Sequence, residues 1–157
     1  GNTLILRKPE SNPNPSDAAN WRSNAGSPGT DDRTSLTSWL ATNGLADPND
    51  DPDGNGITNM MAYAFGNDYT PITSVETIEV DGQINNYLTL QYQQNTSAED
   101  IEIVAEISED LRVWSERTIV VSRFWQNDGT EVITVRNSVP LAHDKHQFVR
   151  LRILITD

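Results

Sequence analysis

The chain has 157 residues, enough for one domain or two small ones sharing an interface, and it contains no cysteine, so neither disulfides nor thiol chemistry hold it together. Asp and Glu number 23 against 11 Lys and Arg, which sets the net charge at −12 and the isoelectric point near 4.4. Such a surface repels nucleic acid and anionic membrane and excludes both as partners, and no run of about 18 apolar residues is present to insert into a bilayer.

In chain order, Thr3–Leu6 (TLIL) reads as a short strand, followed by the basic pair Arg7 and Lys8. The polar stretch after it, PESNPNPSDAANWRSNAGSPGTDDR, is rich in Pro, Asn, Ser and Gly. Its composition predicts an extended or irregular path, with Trp21 as the only large anchor. A lone strand leaves its own backbone groups unsatisfied, so Thr3–Leu6 is expected to join a sheet downstream or to complete one in another molecule. LILR, NWRS and GSPG together resemble the closing segment of a lamin-tail domain, an immunoglobulin-like sandwich of secreted bacterial proteins whose earlier strands are missing here.

Ser35–Thr42 reads as a helix, capped by Thr34 or Ser35, with Asp31 and Asp32 favourable near its positive end. Leu36, Trp39 and Leu40 share one face, and Asn43-Gly44 is a stop signal. The run DPNDDPDGNGITN, from Asp47 to Asn59, then has the form of an EF-hand calcium loop. Positions one, three and five, which supply side-chain oxygens, are Asp51, Asp53 and Asn55, and Gly56 stands where the backbone must turn sharply. Ile57 is placed to offer its backbone carbonyl and Asn59 to act at position nine. Position twelve, normally a bidentate Glu, is Ala62, so Asp47 and Asp50 upstream, together with water, are expected to supply part of the missing oxygen. A second helix, about Thr58 to Phe65, presents Met61, Ala62 and Phe65 for packing against the first and ends at Gly66.

The segment SWLATNGLADPNDDPDGNGITNMMAYAFG resembles the dockerin-like and thrombospondin type 3-like calcium segments of large extracellular proteins of Verrucomicrobia and Planctomycetes. In those proteins a small β-domain with an S-x-DL-x-x-W motif and a final strand like FxRLRV often follows. Here Ser108, Asp110, Leu111 and Trp114 match that motif, with Glu109 between Ser and Asp, and the chain ends on FVRLRILI. The resemblance implies an extracellular, mostly non-catalytic C-terminal module, and it carries no activity with it. The chain begins at Gly1 without a signal peptide and is read as the processed or excised C-terminal part of a longer exported precursor.

From Ile72 the pattern turns to strands. Val75–Val80 and Tyr87–Tyr92 flank an Asp81-Gly82 hairpin turn, and Arg117–Arg123 and Glu131–Arg136 flank Asp128-Gly129. Ile101, Ile103, Ala105 and Ile107 alternate with Glu102 and Glu106, which predicts a half-buried strand with a wet acidic face. The last strand places Val149, Leu151, Ile153 and Ile155 opposite Arg150 and Arg152. The expected fold class is therefore mainly β with a small helical calcium-loop segment, the β part an antiparallel immunoglobulin-like sandwich. Three segments follow: 1–33, strand and extended linker; 34–70, helix–loop–helix; 71–157, β-sandwich.

His143 and His146, around Asp144, are read as solvated loop residues, and Glu102 and Glu106 as solubilising charges. No G-x-S-x-G elbow or comparable nucleophile context is present, and the Asn95-Thr96-Ser97 sequon carries little meaning in a bacterial protein. Trp114 is expected to plug the sandwich core. An alternative gathers Trp114, Trp125, Phe124, Tyr87 and Tyr92 into an aromatic platform for sugar rings. The leading expectation is a calcium-stabilised (Ca2+), non-enzymatic, secreted or cell-surface module with a protein partner, either a second copy through Thr3–Leu6 or another surface component. The runner-up is a carbohydrate-binding module of a secreted polysaccharide-degrading protein.

Overall fold

Alternating apolar and polar residues from Ile72 to Ile155 build six antiparallel strands in two sheets, and the computed structural model describes residues 3–6, 12–24, 33–66, 69–143 and 145–156. Arg7 and Lys8, the GSPG run, Asp31-Asp32 and Asp144 lie outside the described residues. Together with two short helices, the sheets make a mainly β protein.

Two strands at the N-terminus, β1 (Thr3–Leu6) and β2 (Trp21–Asn24), form a ribbon with Leu6 opposite Trp21. The partner expected elsewhere for Thr3–Leu6 is thus its own downstream segment, which composition had marked as irregular. The turn region between the strands supplies its own bonds: Asn14 Oδ1 accepts the Ser16 N–H at 3.0 Å, and the Trp21 indole N–H donates to the Pro15 carbonyl at 2.8 Å.

Helix α1 (Leu36–Thr42) starts at Ser35, whose hydroxyl accepts the Ser38 N–H, and α2 (Asn59–Phe65) starts at Thr58, whose hydroxyl accepts the Met61 N–H. Gly66 closes α2 at φ +88°, a left-handed cap that donates to the Ala62 carbonyl at 2.9 Å. The fully buried residues of α2 are Tyr63, Ala64 and Phe65, whereas Met61 and its neighbour Met60 pack half-buried at the rim. The helix is enclosed on two sides, by α1 and by the sheet, which a one-face reading of its sequence does not anticipate.

Strands β3 (Ile72–Val80), β4 (Gln83–Asn95), β6 (Thr118–Trp125) and β7 (Thr130–Asn137) form a sheet in the order β3-β4-β7-β6, and β5 (Ile101–Ser108) pairs with β8 (Phe148–Ile155). Asp81 and Gly82 turn the first hairpin with both φ angles positive, as a two-residue connection between twisted strands requires. Leu90, Tyr92, Ile133 and Val135 of the larger sheet meet Ala105, Ile103, Val149 and Leu151 of the smaller one in a shared core. A second cluster joins Leu36, Leu40, Tyr63 and Phe65 of the helices to Ala98 and Ile101.

Two contacts fasten the helices to this body. Pairing with β3 covers β4 only as far as Gln91, and beyond it Gln93 Nε2 and Asn95 Nδ2 donate to the carbonyls of Phe65 and Tyr63 at 3.0 and 3.1 Å. Asp100, just before β5, accepts the Leu36 N–H at 2.7 Å and also the Tyr63 hydroxyl, which lies against the Thr34 carbonyl as well. Burial, reinforced by the Asp100 carboxylate, pushes the Tyr63 phenol far above its ordinary pKa, so it remains a neutral donor.

Candidate functional site

The loop between the helices is shaped by short-range hydrogen bonds among its own residues. Asp51 accepts the Asn55 N–H on Oδ1 (3.1 Å) and the Gly56 N–H on Oδ2 (2.8 Å), Asp53 Oδ1 accepts the Asn55 N–H at 3.3 Å, and Asn55 Oδ1 accepts the Ile57 N–H at 2.7 Å. Asp51 and Asp53 thus share the Asn55 N–H, the Asn55 side-chain amide donates to Asp53 Oδ2 at 3.0 Å, and Gly56 allows the tight path with φ at +86°. The Gly56 N–H also holds the Asp51 carboxyl below the usual carboxylate range, which keeps it ionised.

The other residues expected at the loop sit differently. Asp47 accepts the Asn49 N–H at 2.8 Å, and its carbonyl takes the side-chain amide of Asn59 at 2.7 Å. Asn59 is buried, and it staples the incoming chain to α2 with a carbonyl contact outside the Asp51–Asp53–Asn55 group. The Asn59 and Met60 N–H groups at the start of α2 donate to the carbonyls of Asp50 and Pro48 at 2.9 and 2.8 Å, so the loop is closed at its base. Ala62 lines a cavity of about 320 Å³ together with Asp53, Asn59, Ile57, Trp39 and Leu45. Among the described residues, three or more His, Asp or Glu side chains nowhere converge in a ligating arrangement. What the loop offers a hard cation is two carboxylates and one amide oxygen, to be completed by backbone carbonyl and water.

Elsewhere the structure corrects several expectations. Glu106, placed on a wet face by its strand pattern, is buried between Arg150 (2.8 Å) and Arg152 (3.1 Å), and the Arg150 contact leads in lowering its pKa. Trp114 does not plug the core; the Arg150 guanidinium stacks over its ring at 4.1 Å. Tyr87 and Tyr92 are both buried, and the odd–even spacing on β4 puts them on opposite faces, so the five aromatics make no common platform. The S-x-DL-x-x-W segment is a hydrogen-bonded turn: Ser108 Oγ accepts the Asp110 and Leu111 N–H groups, and Asp110 Oδ1 accepts those of Arg112 and Val113. His146 stacks against Phe148 with centroids 6.5 Å apart.

Two residues important to this arrangement escape a reading of the sequence. Asp100 sits in a polar run and shows no local pattern. Glu131, 1 % exposed, accepts from Arg123 Nη1 (2.9 Å) and from the Trp125 indole N–H (3.1 Å). The second hairpin would have placed Glu131 opposite Trp125, but only the register gives Glu131 its partners.

Compared with protein-family models, curated proteins and solved structures, the chain matches none significantly.

Proposed function

We propose that the chain is a calcium-stabilised, non-catalytic module of a secreted or cell-surface protein that works by interaction, its β region an immunoglobulin-like sandwich. The observation that supports this most is the loop in which Asp51 and Asp53 share the Asn55 N–H and Asp51 also accepts the Gly56 N–H. Asp51, Asp53 and Asn55, with the Ile57 carbonyl, would hold the ion, while Asp47 and Asn59 shape the base of the loop. The ion would offset acidic repulsion on a chain of net charge −12 and pin the two helices together without disulfides. For the interaction, β6 is an outermost strand with Ile119, Val120, Val121 and Phe124 exposed, a row suited to pairing with a strand of another protein chain. The sandwich assignment draws on two antiparallel sheets that share one core.

Thermal melting with added calcium and with chelator tests the proposal. Binding to the folded state alone raises stability by about 2.7 kcal/mol at a hundredfold excess over Kd. Ala62→Glu, which places a carboxylate in the cavity that Asp53 also lines, is expected to tighten calcium binding. A melting midpoint identical with calcium and with chelator overturns the proposal.

A further inference from the structure

The smaller sheet sets two strands against the four of the larger one, and among the described residues β8 pairs only with β5. The Thr156 N–H donates to the Asp100 carbonyl at 2.8 Å, in register with the Ile101–Ile155 pair, so the even-numbered residues of β8 bond to β5. The N–H and C=O groups of Val149, Leu151, Ile153 and Ile155 then point to the open side, a row of donors and acceptors placed for another strand. Beside that edge runs a groove of about 320 Å³ lined by Met61, Phe65, Leu90, Val149, Leu151 and Ile153. Thr73 and Val75 of β3 share the face of Leu90, and Val75 is left 53 % exposed there. The second layer stops one strand short of covering β3.

Among the described residues no Asp or Glu lines the groove, and Arg150, its one charged residue, turns its guanidinium to Glu106 and over Trp114. Apolar side chains fit such a wall, whereas the open backbone groups call for hydrogen-bond partners that a lipid chain lacks. An extended apolar polypeptide supplies both. The chain carries a segment of that kind: β1 is uncharged, its Leu4 is 53 % exposed, and its residues belong to neither core. The β1–β2 ribbon is marginal in water without a third strand or a packing partner. Its two strands hold no carboxylate and one cation, Arg22, on a chain of net charge −12, and Glu79 stands exposed on the same face as Val75, so the charges of ribbon and groove are complementary between copies. In its own chain the ribbon is seated elsewhere. Its turn residues Pro13 and Asn20 line a cleft with Ile101, Ile103 and Arg123 on the β6 side, while the groove lies on the β3 side.

We propose that β1 of one copy adds to the open edge of β8 in a second copy, Leu4 and Leu6 entering the groove from one face of the strand, so that β2-β1-β8-β5 becomes a single four-stranded sheet. Donor and acceptor are different surfaces, so the contact repeats head to tail and grows an open filament or closes a ring. This names a second copy as partner for the interaction proposed above, through a different edge from β6, and it does not rest on calcium binding.

Sedimentation velocity of the full chain over rising concentration tests the proposal, and species larger than a monomer are expected below millimolar concentration. Leu4→Lys disables the donor and Val75→Lys the acceptor. Each should weaken association roughly tenfold or more, with an unchanged melting midpoint because both side chains are already exposed. Mixed together, the two variants should form a one-to-one dimer, since each keeps the surface that the other has lost. Val121→Lys, on β6, should associate like the intact chain. The proposal falls if the intact chain stays monomeric at millimolar concentration, if Leu4→Lys associates as tightly as the intact chain, if Val121→Lys abolishes association, or if the mixed variants, both folded, do not pair. Leu4 lies outside both cores, so its result stands even where Val75→Lys disturbs folding. Runs in chelator keep the two readings apart: association should persist there whether or not calcium shifts the melting midpoint, and its loss overturns the proposal.

Discussion

The molecule handles its carboxylates in two ways. In the loop, Asp51 and Asp53 are answered by backbone N–H groups no more than five residues away, and both remain open to water. In the sheets, Glu106 and Glu131 are buried and answered by arginines from neighbouring strands, Arg150 and Arg152 in one case and Arg123 in the other. The first arrangement forms wherever the local sequence turns and leaves oxygen available to a cation. The second exists only once strands pair in one register, and it leaves no oxygen to spare. The difference teaches that an acidic residue is a ligand candidate when its partners are local, and a structural pin when they are distant.

Glu131→Ala should give the largest effect that tests this contrast. It strips Arg123 and the Trp125 indole N–H of their acceptor, at an expected cost of about 3 kcal/mol, the low end for breaking a buried pair because Arg123 retains access to water. Urea denaturation followed by tryptophan fluorescence measures it. A loss no larger than that of an exposed surface substitution breaks the comparison.

The two left-handed glycines that bound these regions sharpen it. An added Cβ at Gly66 meets Thr130 Cγ2 at 2.6 Å, where α2 abuts the sheet, whereas at Gly56 nothing lies within 4 Å. Gly66→Ala should therefore cost about 2–3 kcal/mol, from backbone strain and forced repacking together. Gly56→Ala should cost about 1 kcal/mol, from strain alone. Equal losses in thermal melts of the two variants would show that the loop is packed as tightly as the helix end.

Acid titration gives the smallest effect. The neighbours of Asp51, Glu106 and Asp110 hold all three folded-state pKa values below those of the unfolded chain. The unfolded state therefore takes up protons first as pH falls, so the stability these groups contribute is complete above about pH 4–5 and is lost progressively below that. Glu106→Gln should flatten this acid limb, measured as the denaturation midpoint against pH, more than Asp51→Asn does. The reverse order would mean that the exposed loop carries more of the acid sensitivity than the cross-strand pair.

Much of the secondary structure was legible because it depends on near neighbours. Ser35 and Thr58 cap their helices, Gly66 ends α2, Asp81-Gly82 and Asp128-Gly129 join strands, and the alternation around Ile103 and Leu151 sets the inward faces. The sharp turn at Gly56 was legible for the same reason, whereas the bond from its N–H to the Asp51 carboxylate was not. The bond from the Asn59 side-chain amide to the carbonyl of Asp47, twelve residues back, lies beyond what the short-range pattern gives.

What the sequence by itself determined is the set of short-range choices: caps, turns and strand faces. Tertiary structure alone decided that Thr3–Leu6 pairs with Trp21–Asn24, that Asp100 clasps both helices, that Glu106 and Glu131 are buried pins, and that Trp114 lies beneath Arg150. A side chain's distant partners depend on strand order and register, and those follow from burying one shared core, a property of the whole chain that no short stretch contains.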